Sequence, residues 1–195
     1  PELLLAAYAE VIARWSRSPR FTLNVPHFNR LPLHPQIADI VGTFASFTLV
    51  AVEHRPELGF TARARALRAT LLEALGHREV SGVELLRELF RARGRIAGAI
   101  MPVVLTSFAT QAGGRSSHWV DFLAQEFGTL VEALTQTPQV WIDHQVVYQG
   151  DEVFLNWDAA DELFPAGMID AMFASYVALL RRLADPDDER AWEQP

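Results

Sequence analysis

The stretch TQTPQVWIDHQVVYQGDEVFLNWD, residues 135–158, sets a carboxylate, Asp143, inside a run of aromatic and β-branched residues. A carboxyl group is one of the few side chains that can give a proton and take one back within a single reaction. The run reads as two strands around a tight turn, so its side chains alternate between two faces. That alternation puts Gln145 and Trp141 on the same face as Asp143. Gln145, a neutral amide, is a second candidate for that surface, and Trp141, as an aromatic in a strand, fits a core position better than a substrate platform. For Asp143 two readings stand side by side: an acid on the wet side of a half-exposed sheet, or an acid–base group in a cleft.

Other chemistries are excluded by what is missing. The chain has no cysteine, hence no disulfide framework, thiolate nucleophile or thiolate-held metal, and the setting expected is the cytoplasm. It has no Gly-rich phosphate loop, no His-Glu-x-x-His pair and no Gly-x-Ser-x-Gly elbow. The six histidines, His27, His34, His54, His77, His118 and His144, show no metal-ligand spacing. A net charge of -7 with scattered basic residues argues against nucleic acid as a partner, and no apolar run is long enough to cross a membrane.

At 195 residues, half of them apolar, the chain suffices for one domain with a real core. Leu4, Tyr8, Val11, Ile12 and Trp15 lie on one stripe of an opening helix. A short strand is expected over Phe21 to Val25, followed by a segment with three prolines in ten residues that reads as an ordered loop. Residues 44–53 and 99–109 read as buried strands. Between them lie two amphipathic helices, the first with Leu67, Thr70, Leu71, Ala74 and Leu75 on one face. The second opens on a capping box, Ser81 with Glu84, and stops at Gly94. Residues 119–134 fit a short helix or a loop. The hairpin follows, then a helix striped by Ile169, Met172, Phe173, Tyr176, Leu180 and Leu183. The acidic residues 185–195 read as linker, leaving 1–184 as one α/β unit with helices covering a mixed sheet.

Three stretches in order, GTFASFTLVAV (42–52), PVVLTSFA (102–109) and QTPQVWIDHQ (136–145) with a Trp-Asp ending at Asp158, resemble the heterocyclisation domains of nonribosomal peptide synthetases, a branch of the condensation-domain family. LNVPHFNRLPLHPQI and SGVELLRELFR extend the resemblance over nearly the whole chain. Thr43 and Ala45 replace an aspartate and a threonine of the family's Gly-Asp-Phe-Thr segment. The Asp-x-x-x-x-Asp motif of the family's first half is absent, so the chain resembles the second half only.

The resemblance implies the chloramphenicol acetyltransferase-like two-layer sandwich, one of two such halves meeting in a V. It implies joining a carrier-bound acyl or peptidyl group to carrier-bound Cys, Ser or Thr and cyclodehydrating the product to a thiazoline or oxazoline. Asp143 matches the family's cyclodehydration aspartate, and Thr106 its orienting partner. Asn24 and Asn29 fall where the family keeps an active-site asparagine, and each fits equally a brace of the proline-rich loop. The implied partners are the N-terminal half of the same domain, donor and acceptor carrier domains and an adjacent adenylation domain. Phosphopantetheine arms come from the carriers, and no cofactor is bound by this chain itself. The alternative left open is a domain that only forms the amide, or an inactive docking scaffold.

Overall fold

The computed structural model describes residues 2–94, 100–108, 125–128, 134–135, 137–149 and 152–193. Helix α1 (Glu2–Trp15) forms on the expected stripe and buries Tyr8, Val11 and Ile12, while Trp15 at its end stays exposed. Helix α2 (Phe60–Gly76) buries Phe60, Leu67 and Leu71. Helix α3 (Gly82–Arg93) starts on the capping box: Glu84 donates its backbone N–H to Ser81 Oγ (3.2 Å), and its carboxylate accepts the Ser81 N–H (2.9 Å). A Cβ on Gly82 would lie 2.2 Å from the Phe47 ring and 2.6 Å from the Phe47 carbonyl oxygen, so that first position requires glycine. At the other end Gly94 takes φ 75°.

Five strands, β1 (Arg20–Phe28), β2 (Ala45–Glu53), β3 (Val103–Phe108), β4 (Ile142–Gln149) and β5 (Glu152–Ala159), form one sheet in the order β2-β1-β3-β4-β5. The outer pairs are antiparallel, whereas β1–β3 and β3–β4 are parallel. Helix α4 (Met168–Ala184) follows the hairpin and buries Met172, Tyr176 and Leu183. With α1 and α2 it covers the face that carries Leu23, Val50, Leu105 and Ile142, giving the two-layer α/β arrangement expected from the sequence.

Two local expectations are corrected. Strand β1 does not stop at Val25 but runs through Pro26 to Phe28. Among the described residues its ladder with β3 is confined to Asn24↔Val104, so Pro26 sits where β1 has β2 as its described partner, the setting in which a strand accepts proline. The Arg30 guanidinium donates to the carbonyls of Ile37 and Ile40 and lies 3.7 Å over the Phe44 ring, tying the proline-rich loop to the start of β2.

The acidic tail, read as linker, is packed as far as Glu193. Helix α5 (Arg190–Glu193) buries Ala191 and sets Trp192 edge-on to Phe60, the Thr61 hydroxyl donates to the Trp192 carbonyl (2.8 Å), and Arg182 pairs with Asp188. Acidic composition hid one small apolar anchor. Residues 119–134 lie largely outside the described residues; 125–127 are helical.

Candidate functional site

The start of β4 is held from two sides. Residues 137–140 make a turn with Pro138 in its second position and Gln139 at φ 69°, closed by the Val140 N–H donating to the Thr137 carbonyl (3.1 Å). A glutamine in the left-handed region is uncommon and has to be held there by its surroundings. Just beyond, the N–H groups of Trp141 and Ile142 both donate to the Pro102 carbonyl (2.8 and 3.2 Å), locking β4 to the foot of β3. The turn thereby lays Thr135 back over the residues that follow it.

Register then decides which side chains meet. Asp143 faces Val104 on β3 and Asp158 on β5, while Gln145 faces Thr106 and Asn156. Strand alternation puts all of these on the face turned away from α1, α2 and α4. Asp143 is only 9 % exposed, and both its oxygens accept hydrogen bonds. Oδ1 accepts from the Thr106 hydroxyl (3.2 Å); Oδ2 accepts from the Thr135 hydroxyl (3.0 Å) and from Gln145 Nε2 (3.3 Å). Asp158 belongs to the same network. Its Oδ2 is reached by the Thr135 backbone N–H (2.9 Å), the Thr135 hydroxyl (2.8 Å) and Gln145 Nε2 (3.1 Å), and its Oδ1 accepts from Asn156 Nδ2 (3.1 Å).

Thr106, Asp143 and Gln145 are thus brought together. Asn24 lies on the same face two strands away, with Val104 between, and its buried Oδ1 has no donor among the described residues. Asn29 stands apart: its N–H donates to the Phe44 carbonyl (2.7 Å) and its Nδ2 to the Arg78 carbonyl (3.0 Å), so it braces the loop against the end of α2. Trp141 sits just before β4, partly exposed. Thr135 and Asp158 went unassigned in the sequence. For Asp158 a signal existed: a hairpin register that pairs Gln149 with Glu152 sets position 143 opposite position 158.

One residue along from Asp143, His144 points the other way and is wholly buried. Its Nδ1 donates to the Asn156 carbonyl (3.2 Å), leaving Nε2 to accept from the Tyr176 hydroxyl (2.9 Å). Rings of Tyr8, Trp157 and Tyr176 surround it at 5.0, 5.8 and 4.9 Å between centroids. Burial pushes its pKa down to about 4, against which the bond to Asn156 acts only partly. Burial likewise holds the Tyr8 hydroxyl well above the usual tyrosine range, with the charge of Asp143 adding to it.

Among the described residues no group of His, Asp and Glu is arranged to hold a metal, and no helix is long and apolar enough to cross a membrane.

No family model matches the chain. Individual proteins do. The cyclization–docking bidomain of the nonribosomal peptide synthetase EpoB from Sorangium cellulosum superposes with a TM-score of 0.81 at 44% identity, covering 94% of this chain and 36% of that one. The chain belongs to the heterocyclisation domains of nonribosomal peptide synthetases. Its elements fit the C-terminal half of such a domain. Pyochelin synthetase PchF of Pseudomonas aeruginosa is 45% identical over 188 residues, 96% of this chain. Phenyloxazoline synthase MbtB of Mycobacterium tuberculosis is 41% identical over 192 residues. The chain spans about a tenth of each of these synthetases, 10% and 13%. A condensation domain of the CDA synthetase shares the fold at a TM-score of 0.70 with 16% identity, placing the sheet and its helices in the chloramphenicol acetyltransferase-like sandwich.

Proposed function

We propose that this chain forms one wall of a site that condenses a carrier-bound acyl or peptidyl group with carrier-bound Cys, Ser or Thr and closes the product to a thiazoline or oxazoline, with Asp143 moving the protons of ring closure. The observation that carries this reading is the Asp143 carboxylate, nearly enclosed yet set on the face turned away from α1, α2 and α4, with donors at both oxygens. A purely solvating surface acid would be neither enclosed nor fixed from two strands and a loop.

Ring closure needs such a group. Attack of the side-chain thiol or hydroxyl on the new amide carbonyl gives a tetrahedral carbon bearing a hydroxyl. That hydroxyl departs as water once it is protonated, and the ring nitrogen gives up its hydrogen as the C=N bond forms. One carboxyl can take the nitrogen's proton and deliver one to the departing oxygen, ending as it began. Thr106, donating to Oδ1, fixes the plane of the carboxylate. Asn24, with its unengaged carbonyl on the same face, is suited to accept an N–H of the bound chain, and Gln145 borders the same space.

The reacting groups would arrive on phosphopantetheine arms of donor and acceptor carrier domains, with an adenylation domain loading the acceptor and the N-terminal half supplying the facing wall. The heterocyclisation relatives support this set of partners. Intact mass of the acceptor carrier in the full synthetase, after loading both carriers, tests the reading. Wild type is expected to give a product lighter by one water than the simple amide, and Asp143→Asn the amide alone. An amide with no water lost in either protein would reduce the function to plain condensation.

A further inference from the structure

Two carboxylates face each other across the β4–β5 ladder, Asp143 and Asp158, and between them stands one hydroxyl. Directly opposed strand residues bring their Cβ atoms to about 5 Å, and like charges so placed repel. Thr135 Oγ1 reaches Asp143 Oδ2 at 3.0 Å and Asp158 Oδ2 at 2.8 Å, but a threonine hydroxyl carries a single hydrogen. It can satisfy one acid at a time. Its oxygen is itself held by Gln145 Nε2 at 2.8 Å, and its backbone N–H is fixed on Asp158 Oδ2 at 2.9 Å. The hydroxyl hydrogen is therefore free to swing while the residue stays put.

We propose that Thr135 and Asp158 are positioning residues for ring closure, forming a hydrogen-bond switch behind Asp143. When Asp143 is ionised, the Thr135 hydroxyl donates to its Oδ2. When Asp143 is protonated, its Oδ2–H donates to Thr135 Oγ1, and Thr135 turns its own hydrogen to Asp158. Asp143 gives its proton to the departing hydroxyl, takes the ring nitrogen's proton as water leaves and the C=N bond forms, and the switch returns. No hydrogen leaves Thr135 and Asp158 stays ionised throughout, so the cycle balances without a further reactant. Asp158 serves as a fixed acceptor that makes both protonation states of Asp143 fully hydrogen-bonded, which a single acid–base group used in both directions requires.

This assignment rests on the proposed function, and its test separates the two. In the full synthetase with both carriers loaded, the ratio of ring to uncyclised amide is measured by intact mass over time for wild type, Asp143→Asn, Thr135→Val, Thr135→Ser and Asp158→Asn. The switch predicts a fall in that ratio of about tenfold to a hundredfold for Thr135→Val and Asp158→Asn, the loss expected for a hydrogen bond to a charged group. Thr135→Ser, which keeps the hydroxyl, restores it. A Thr135→Val protein that closes rings like wild type while Asp143→Asn does not would overturn the switch and leave the function standing. So would a Thr135→Ser protein as impaired as Thr135→Val, or variants that lose condensation and ring closure in equal measure, since each makes Thr135 a packing residue only. If wild type itself makes no ring, the function falls first.

Discussion

The two faces of β4 treat buried polarity in opposite ways. On the helix face, His144 is neutral, wholly enclosed and engaged at both nitrogens by one backbone carbonyl and one hydroxyl. On the far face, Asp143 and Asp158 share Thr135 and Gln145 as donors, so more acceptor positions than hydrogens crowd one spot. The first arrangement specifies a single packing. The second keeps an acid opposite an acid, which costs stability and makes sense only where the electrostatics are put to use. Adjacent residues on one strand thus serve different ends.

That contrast can be broken most forcefully at Asp143. Replacement by Asn is expected to slow ring closure about 10²- to 10⁴-fold, the range of a lost general acid–base group, while leaving hydrogen-exchange protection of β4 unchanged or raised. A loss of protection there would erase the distinction between the faces. Next in size, His144→Ala removes a ring from the core. It should lower the opening free energy of β4 in hydrogen exchange by about 3 kcal/mol, with the ring-to-amide ratio of the surviving folded protein held.

Acidification probes the same residue without mutation. Burial pushes the His144 pKa down to about 4, from the ordinary histidine value of 6.5. As the pH falls through that window the unfolded strand takes up a proton that the folded one refuses, so protection should decline by roughly 3 kcal/mol and then level off below the lower value. His144→Ala should flatten that decline.

The smallest effects sharpen the comparison by their signs. Tyr176→Phe leaves His144 Nε2 buried without a partner and is expected to cost about 1–3 kcal/mol in the same exchange measurement. Tyr8→Phe removes a buried hydroxyl that has no hydrogen-bond partner among the described residues, and is expected to be neutral or to stabilise by up to about 1 kcal/mol. Equal losses from both would show that ring packing alone governs this face.

Much of this was legible in the residues. The stripes of α1 and α4, the Ser81–Glu84 capping box and the terminal Gly94 are local signals, and local physics decides them. Alternation sufficed to put Asp143 and Gln145 on one face, and the motif resemblance to add Thr106. What escaped is what depends on distant partners. The parallel pairing of β1, β3 and β4 has no signature in any one segment. Pro26 reads as a strand breaker until the neighbouring ladder is known to end at Asn24. Thr135 reaches Asp143 only because the 137–140 turn folds it back, and a positive φ at Gln139 is not written in the identity of that residue. The anchoring of the acidic tail escaped for the same reason: Trp192 packs on Phe60, far away in sequence.

The adjacency of Asp143 and His144 also limits how this wall can be altered by evolution or engineering. Inserting or deleting one residue between the Pro102 clamp and Asp143 would exchange the two, sending a carboxylate into the aromatic cluster and an imidazole onto the working surface. Length changes here are therefore lethal to packing and chemistry at once. A library meant to retune ring closure should hold residues 141–145 at fixed length and draw its diversity from positions such as Asn156 and Phe154, which share the far face but are exposed.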